Sequence, residues 1–308
     1  MHISSGRWLL GLFLSLVTTL LWGVLPIMLK QVLQVMDPVT VTWYRLLSSG
    51  LILLVWLGAS RRLPALRPLK GGGRWLLVLA VFGLTANYVL YLLGLERLSA
   101  GTTQLLIQTA PIMLLLASLL VFRESFSRGQ LVGLLVLLLG FGLFFNQRLD
   151  ELFGSLGSYT IGVLTVLAAA LLWVFYGLAQ KQLLTVWSSA QIMMAIYLAC
   201  ALLLTPWAHP LQLLALSDVQ LWLLVGCCLN TLVAYGAFAE ALAHWEASRV
   251  SAALALTPLV TLLAVAVAAG LWPAQVQAEE LNALAYGGAL LVACGSALAA
   301  LLKARPQA

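Results

Sequence analysis

Arg45 is the one charged side chain between residues 39 and 58, in a run otherwise made of apolar, aromatic and small hydroxyl residues. Charge inside an apolar segment long enough to cross a bilayer is costly, so its presence there is by default a functional hypothesis. About two helical turns beyond Asp37-Pro38, this side chain has two options. It lines an interior cavity, where it could pair with a substrate carboxylate, or it snorkels to the headgroups. Asn87 and Asn230 fall near the middle of two other apolar runs. Each amide either bonds a substrate or ties helices together. Gln104 and Gln108 are four residues apart and share one helix face with Pro111 a turn further on, which makes a polar stripe toward substrate or another helix. The aromatic residues Trp22, Trp43, Tyr44, Tyr88, Tyr91, Trp173, Tyr176 and Tyr235 would suit a cavity for amphipathic or aromatic compounds, although membrane proteins also place Trp and Tyr at the interfaces. Pro111 and Pro258 each remove a helical hydrogen bond in mid-span and mark kinks or hinges.

This inventory binds rather than reacts. It holds no Ser-His pair on the apolar runs, no paired intramembrane aspartates and no metal-ligand spacing, so no catalytic residue, metal or cofactor is expected. The cysteines Cys200, Cys227, Cys228 and Cys294 all fall in apolar runs, where a thiol behaves as a small hydrophobe. The run Lys70-Gly71-Gly72-Gly73-Arg74 lacks the spacing of a phosphate-binding loop. Energy is therefore expected from a proton gradient or from exchange of substrates rather than from ATP.

The elements that must position these residues follow from composition. The chain is 63% hydrophobic and 8% charged, with a mean hydropathy of +1.04, far from the balance of a water-soluble domain. Its solvent must be lipid. Ten apolar runs approach the roughly 20 residues that a membrane helix requires: 8–29, 39–58, 75–95, 102–122, 129–146, 159–180, 188–206, 219–241, 251–271 and 281–302. They lack the alternation of barrel strands, so helices are the spanning structure that satisfies their backbone.

Placing the N-terminus in the cytoplasm assigns Arg7, Arg61, Arg62, Arg67, Lys70, Arg74, Arg123, Arg128, Lys181, Arg249, Lys303 and Arg305 to the inner side, and leaves Lys30, Arg97 and Arg148 outside. Lys and Arg favour cytoplasmic loops, so both termini are expected inside. The basic residues are spread over short loops, which argues against a nucleic-acid partner.

The halves also overlay. Leu21-Trp22 and Lys30-Gln31 match Leu172-Trp173 and Lys181-Gln182 at a shift of 151. Trp75 to Val78, Tyr88 and Pro111 match Trp222 to Val225, Tyr235 and Pro258 at 147, and Gly133 and Gly140 answer to Gly288 and Gly295. Five helices per copy is an odd number, so the second copy must enter from the opposite side. The expected fold is an all-α integral membrane protein of ten transmembrane helices, built as inverted repeats over residues 1–150 and 151–308. Inverted repeats let one packing scheme open to either face, with the substrate near the midplane.

The chain resembles the EamA branch of the drug/metabolite transporter superfamily over nearly its whole length. The resemblance is carried by Leu21-Trp22-Gly23, Asp37-Pro38 with Trp43-Tyr44-Arg45, Leu98 to Gly101 leading to Thr109-Ala110-Pro111, Arg123-Glu124, and the Gly133 to Gly140 segment. In the second half it is carried by Leu172-Trp173, Ala247-Ser248 leading to Leu256-Thr257-Pro258, and Gly288 to Gly295. It implies two inverted bundles around a central cavity and export of amino acids or related metabolites. One departure stands out. Where the family places Gly-Glu after helix nine, this chain has Gly270-Leu271-Trp272-Pro273, with Glu279 and Glu280 later. The alternatives are an intramembrane enzyme, which lacks the chemistry above, and a membrane scaffold, which would expect a soluble domain or long tails. Expected partners are a small-molecule substrate and the lipid bilayer, with a homodimer left open, and the expected location is the inner membrane.

Overall fold

The computed structural model describes residues 7–64, 72–110, 112–113, 117, 127–153, 157–245 and 247–302. Pro111, Lys70, Arg123, Glu124 and Glu246 lie outside the described residues, as does most of the second half of the predicted span 102–122.

The described residues form helices with no strand among them. The first half contains α1 (Trp8–Val32), α2 (Pro38–Ala59), α3 (Gly72–Arg97), α4 (Ala100–Leu106) and α5 (Arg128–Phe144), followed by a short connecting helix α6 (Leu149–Phe153). The second contains α7 (Ser158–Leu183), α8 (Ser189–Leu204), α9 (Asp218–His244), α10 (Ala247–Leu254), α11 (Thr257–Leu271) and α12 (Ala283–Leu301). Eight helical stretches among the described residues are long and apolar enough to cross a membrane, and α5 is a shorter apolar helix. Large apolar side chains such as Phe13, Val55, Trp75, Phe82, Leu139, Leu202 and Trp222 are exposed on the outer faces. In a membrane protein these faces meet lipid tails, which solvate them as well as a core would.

Capping residues set the helix starts, and they recur at the repeat shifts. Asp37 caps α2 by accepting from the N–H groups of Val39 and Thr40, with Pro38 in the first turn. Ser188 caps α8 at the same place plus 151, in a reciprocal box with Gln191. Ser127 caps α5 in the same way, and Asn282, 155 residues on, caps α12. Such caps satisfy N–H groups that a helix leaves bare.

The packing shows that the copies are inverted. Helix α5 crosses α12 through glycines, and a Cβ added at Gly133 would come within 2.8 Å of the Gly295 carbonyl. One at Gly140 would come within 2.8 Å of the Gly288 carbonyl, and the reciprocal approaches are 2.6 Å. Residue 133 thus faces 295 while 140 faces 288, so the helices run antiparallel about a twofold axis perpendicular to them. The same axis exchanges the contact of α1 with α9 for that of α7 with α3, and maps the α2 to α8 contact onto itself.

One face collects the α1–α2 turn, the end of α3 and the segments 205–217 and 272–282. There Gln220 Nε2 bonds the Gln31 carbonyl at 3.1 Å, Gln31 Nε2 bonds that of Gln275 at 2.9 Å, and the Asp37 N–H bonds Gln212 Oε1 at 3.0 Å. The other face collects the start of α1, the end of α2 and the end of α12: Gly11 packs on Trp245, Gln191 Nε2 bonds the Arg62 carbonyl at 2.7 Å, and Ser127 bonds Leu302. Both ends of the described chain therefore lie on one face.

Candidate functional site

Arg45 does not snorkel. It is 4% exposed, on the face of α2 that meets α3 and α9. Its Nε donates to Thr231 Oγ1 of α9 at 3.0 Å, and its guanidinium stands 4.8 Å from the centre of the Tyr88 ring on α3. Thr231 Oγ1 in turn donates to the Cys227 carbonyl at 2.9 Å. Among the described residues the ion pairs are Arg148 with Glu151 and Glu240 with His244, and neither touches Arg45.

Aromatic rings extend from this cation across the junction of the halves. Tyr88, Tyr176 and Tyr197 are buried in one cluster, against which Trp43, Trp173 and Tyr235 pack. Tyr197 meets Tyr235 edge-on at 6.4 Å, Trp22 meets Tyr235 edge-on at 5.2 Å, and Trp173 lies 6.4 Å from Tyr176. The Tyr176 hydroxyl bonds Met193 Sδ at 3.1 Å. The hydroxyl of Tyr197 is buried without a hydrogen-bond partner, as is Thr42 Oγ1 one turn before Arg45, whereas that of Tyr88 has the Tyr235 hydroxyl beside it. Buried polar groups left unpaired in this way point to a partner that the chain does not supply.

The remaining sequence candidates divide. Asn87 Nδ2 donates to the Ala169 carbonyl of α7 at 2.8 Å, and Asn230 Nδ2 to the Leu21 carbonyl of α1 at 2.6 Å. These are one pair of positions seen twice. At the place equivalent to Asn87 the second half has Ala234, whose carbonyl accepts from Thr18 at 3.3 Å; at the place equivalent to Asn230 the first half has Gly83, packed against the Leu172 carbonyl. Gln104 Oε1 accepts from the Tyr91 hydroxyl at 3.0 Å, and Gln108 Nε2 donates to the Leu254 carbonyl at 3.3 Å. Both amides are buried and tie α4 and its continuation to α3 and α10. Trp43 and Tyr44 hold the 205–217 segment instead, through Thr205 Oγ1 at 3.1 Å and the Pro210 carbonyl at 2.9 Å.

Pro258 sits in the first turn of α11, after an interruption at Ala255-Leu256, rather than inside a continuous helix. A first-turn proline sacrifices no intrahelical bond. The Thr257 hydroxyl takes up the Leu254 carbonyl at 2.6 Å, and in the first half Thr109 does the same for Leu106 at 2.8 Å after the break at Ile107-Gln108. The two broken spans touch where Gln108 reaches Leu254.

Two features escaped the sequence reading. Tyr197 has Leu46 as its repeat-related partner, so the matching of halves gave it no signal; its place beside Ile196, the counterpart of Arg45, could have. Glu279 is the other. Its carboxyl group reaches the N-terminal turn of α4, where Oε1 accepts the Gly101 N–H at 2.6 Å. Burial pushes the Glu279 carboxyl above its usual range, against the smaller opposing pulls of the Gly101 N–H, the Ser99 hydroxyl and the Lys30 charge. The Lys30 ammonium donates to the Leu95 and Leu98 carbonyls at the end of α3.

Comparison with known proteins fits this architecture. The sequence profile of the EamA-like transporter family matches residues 9–146 and again 160–301. An "Uncharacterized transporter" of Haemophilus influenzae is 40% identical over 293 residues, 95% of each chain. The "Uncharacterized inner membrane transporter YhbE" of Escherichia coli K12 is 42% identical over 294 residues, 95% of this chain and 91% of its own. A "Probable amino-acid metabolite efflux pump" of Salmonella typhimurium is 25% identical over 300 residues, 92% of both. A solved crystal structure that covers 97% of this chain and 98% of its own superposes with a TM-score of 0.66 at 17% identity, a likeness of fold alone. With the family profile matched once in each half and full-length transporter relatives at 40% identity or more, the chain belongs to the EamA-like transporter family and is a multi-pass membrane transporter.

Proposed function

We propose that the chain is a secondary active transporter that exports small organic metabolites, amino acids among them, by alternating access between its two inverted halves. The single observation that carries this reading is the buried Arg45, bridging from the first half to Thr231 of the second at the head of a cluster of aromatic rings. A cation held between two bodies that can rock against each other is placed to bind a carboxylate from either side of the membrane. Around it, Trp22, Tyr88, Trp173, Tyr176 and Tyr235 are the proposed walls, with Tyr197 added. Asn87, Asn230, Gln104 and Gln108 fix the helices that carry them. The breaks before Pro111 and Pro258 are the proposed flexing points. The excess of Lys and Arg in alternate loops supports an inner-membrane orientation with both termini in the cytoplasm.

Counterflow in proteoliposomes, with a broad panel of labelled amino acids and related carboxylates, tests the proposal. Saturable exchange of at least one panel compound is expected. Absence of exchange for every compound, with protein shown to be folded and inserted, overturns it.

A further inference from the structure

We infer that the central site selects organic anions: a carboxylate carried on an aromatic or apolar body, with an ammonium group counting against binding. This rests on the substrate site just proposed and sharpens it. Arg45 offers five N–H donors, of which Nε alone meets an acceptor among the described residues. The side chain is buried, and no described carboxylate pairs with it. A buried cation without a counter-charge is expensive, and a ligand of opposite sign supplies what the protein omits. A carboxylate also matches the planar guanidinium two N–H groups at a time.

The surrounding hydroxyls do not choose the sign of the ligand. Those of Tyr197 and Thr42, buried and unpartnered, could donate to a carboxylate or accept from an ammonium. The counter-charges do choose. All ten acidic residues of the sequence fall in loops or within about one turn of a span end. Glu124 and Glu246 stand between predicted spans, and Glu240 is exposed and bonded to His244. No acid is thus available at mid-span to hold an ammonium, and the one deep charge repels it. Tyrosine faces can bind ammonium groups, but here Tyr88 already carries the guanidinium, and Tyr197 and Tyr235 meet each other edge-on. What the rings offer is an apolar, edge-on lining for the ligand body.

Three compounds that share a phenyl-methylene body separate the charges: phenylacetate, phenylalanine and phenethylamine. Ligand-induced shifts in thermal unfolding of the full-length protein in detergent, titrated near neutral pH, give a Kd for each. Phenylacetate is expected to bind at least about tenfold more tightly than phenethylamine, with phenylalanine between them. Arg45→Gln should weaken phenylacetate by about tenfold or more and leave phenethylamine equal or tighter, while Arg45→Lys keeps the wild-type order. The inference is overturned if phenethylamine or phenylalanine binds as tightly as phenylacetate. It is overturned equally if Arg45→Gln preserves the order, or if none of the three shifts unfolding at millimolar concentration. Should Arg45→Gln fail to fold, the wild-type ranking decides alone. The counterflow panel judges transport separately: exchange of any panel compound alongside a failed ranking removes the anion preference and leaves the transporter reading standing.

Discussion

Two self-mating contacts of the pseudo-twofold have opposite characters. Where α5 meets α12, the halves present the same residue type at equivalent places, Gly133 with Gly288 and Gly140 with Gly295, and backbone touches backbone. Where α2 meets α8, the caps Asp37 and Ser188 fix the register, and Arg45 and Leu46 then answer to Ile196 and Tyr197. The first contact must hold two helices together in lipid, where close approach supplies dispersion and no hydrophobic force assists. A twofold interface does this best with equal partners. The second contact surrounds the proposed ligand, and a small metabolite has no twofold axis. A second buried arginine at position 196 would double the uncompensated charge and give the carboxylate two equal orientations.

The sharpest way to break this contrast is to put bulk into the equal contact. Gly288→Val should drive α12 away from Gly140 and Phe144 of α5, beyond the ~1–3 kcal/mol typical of overpacking. The expected outcome is loss of monodisperse protein on size exclusion; a Gly288→Val protein with wild-type unfolding temperature would show that the glycine seam is not the fastening. The unequal contact should respond in the reverse sense. Arg45→Met removes a buried, unpaired cation, so thermal stability should be unchanged or rise by up to about 1–4 kcal/mol, while counterflow falls more than about tenfold. Unfolding curves and transport measured on one preparation check both; a stability loss together with intact transport would make Arg45 structural.

Smaller changes sharpen the comparison. Asn230→Gly and Asn87→Ala copy each half's residue into the other and delete one interhelical bond apiece. Each should cost about 0.6 kcal/mol, the average for such bonds in a membrane, with transport close to wild type; unfolding temperature and counterflow measure the two. The smallest effect is a pH dependence at Glu279. Its carboxyl is raised in the folded protein, so its contribution to stability is full below the ordinary value of 4.5 and is lost as pH rises through the raised folded value. Glu279→Gln, which cannot ionise, should therefore gain on the wild type as pH climbs through that window. Unfolding temperatures of the two proteins across mildly acidic pH check the sign, and a gap that widens toward low pH would reverse it.

Much of the fold was legible because lipid makes a simple demand. Any helix that spans must be long and apolar, so the predicted limits 39–58 and 159–180 fall within a few residues of α2 and α7. The order of small and aromatic residues likewise carried the duplication, since Gly133 and Gly140 recur with equal spacing in the second half. The site was legible in part. Arg45 announced itself by cost, and Tyr88 and Tyr235 by repetition, but Tyr197 lacked both signals.

By itself, then, the amino-acid sequence determined that this chain lives in a bilayer, how often it crosses, and that it is one unit used twice with opposite sense. These follow from hydropathy and from counting, which act along the chain. Only the tertiary structure decided which polar side chains answer one another. Asn87, Asn230, Gln104 and Gln108 find partners on other helices, Glu279 reaches α4 across the bundle, and Arg45 meets Thr231 rather than a carboxylate. Whether a buried charge or amide is satisfied depends on groups tens to hundreds of residues away, and that distance is closed only when the helices pack.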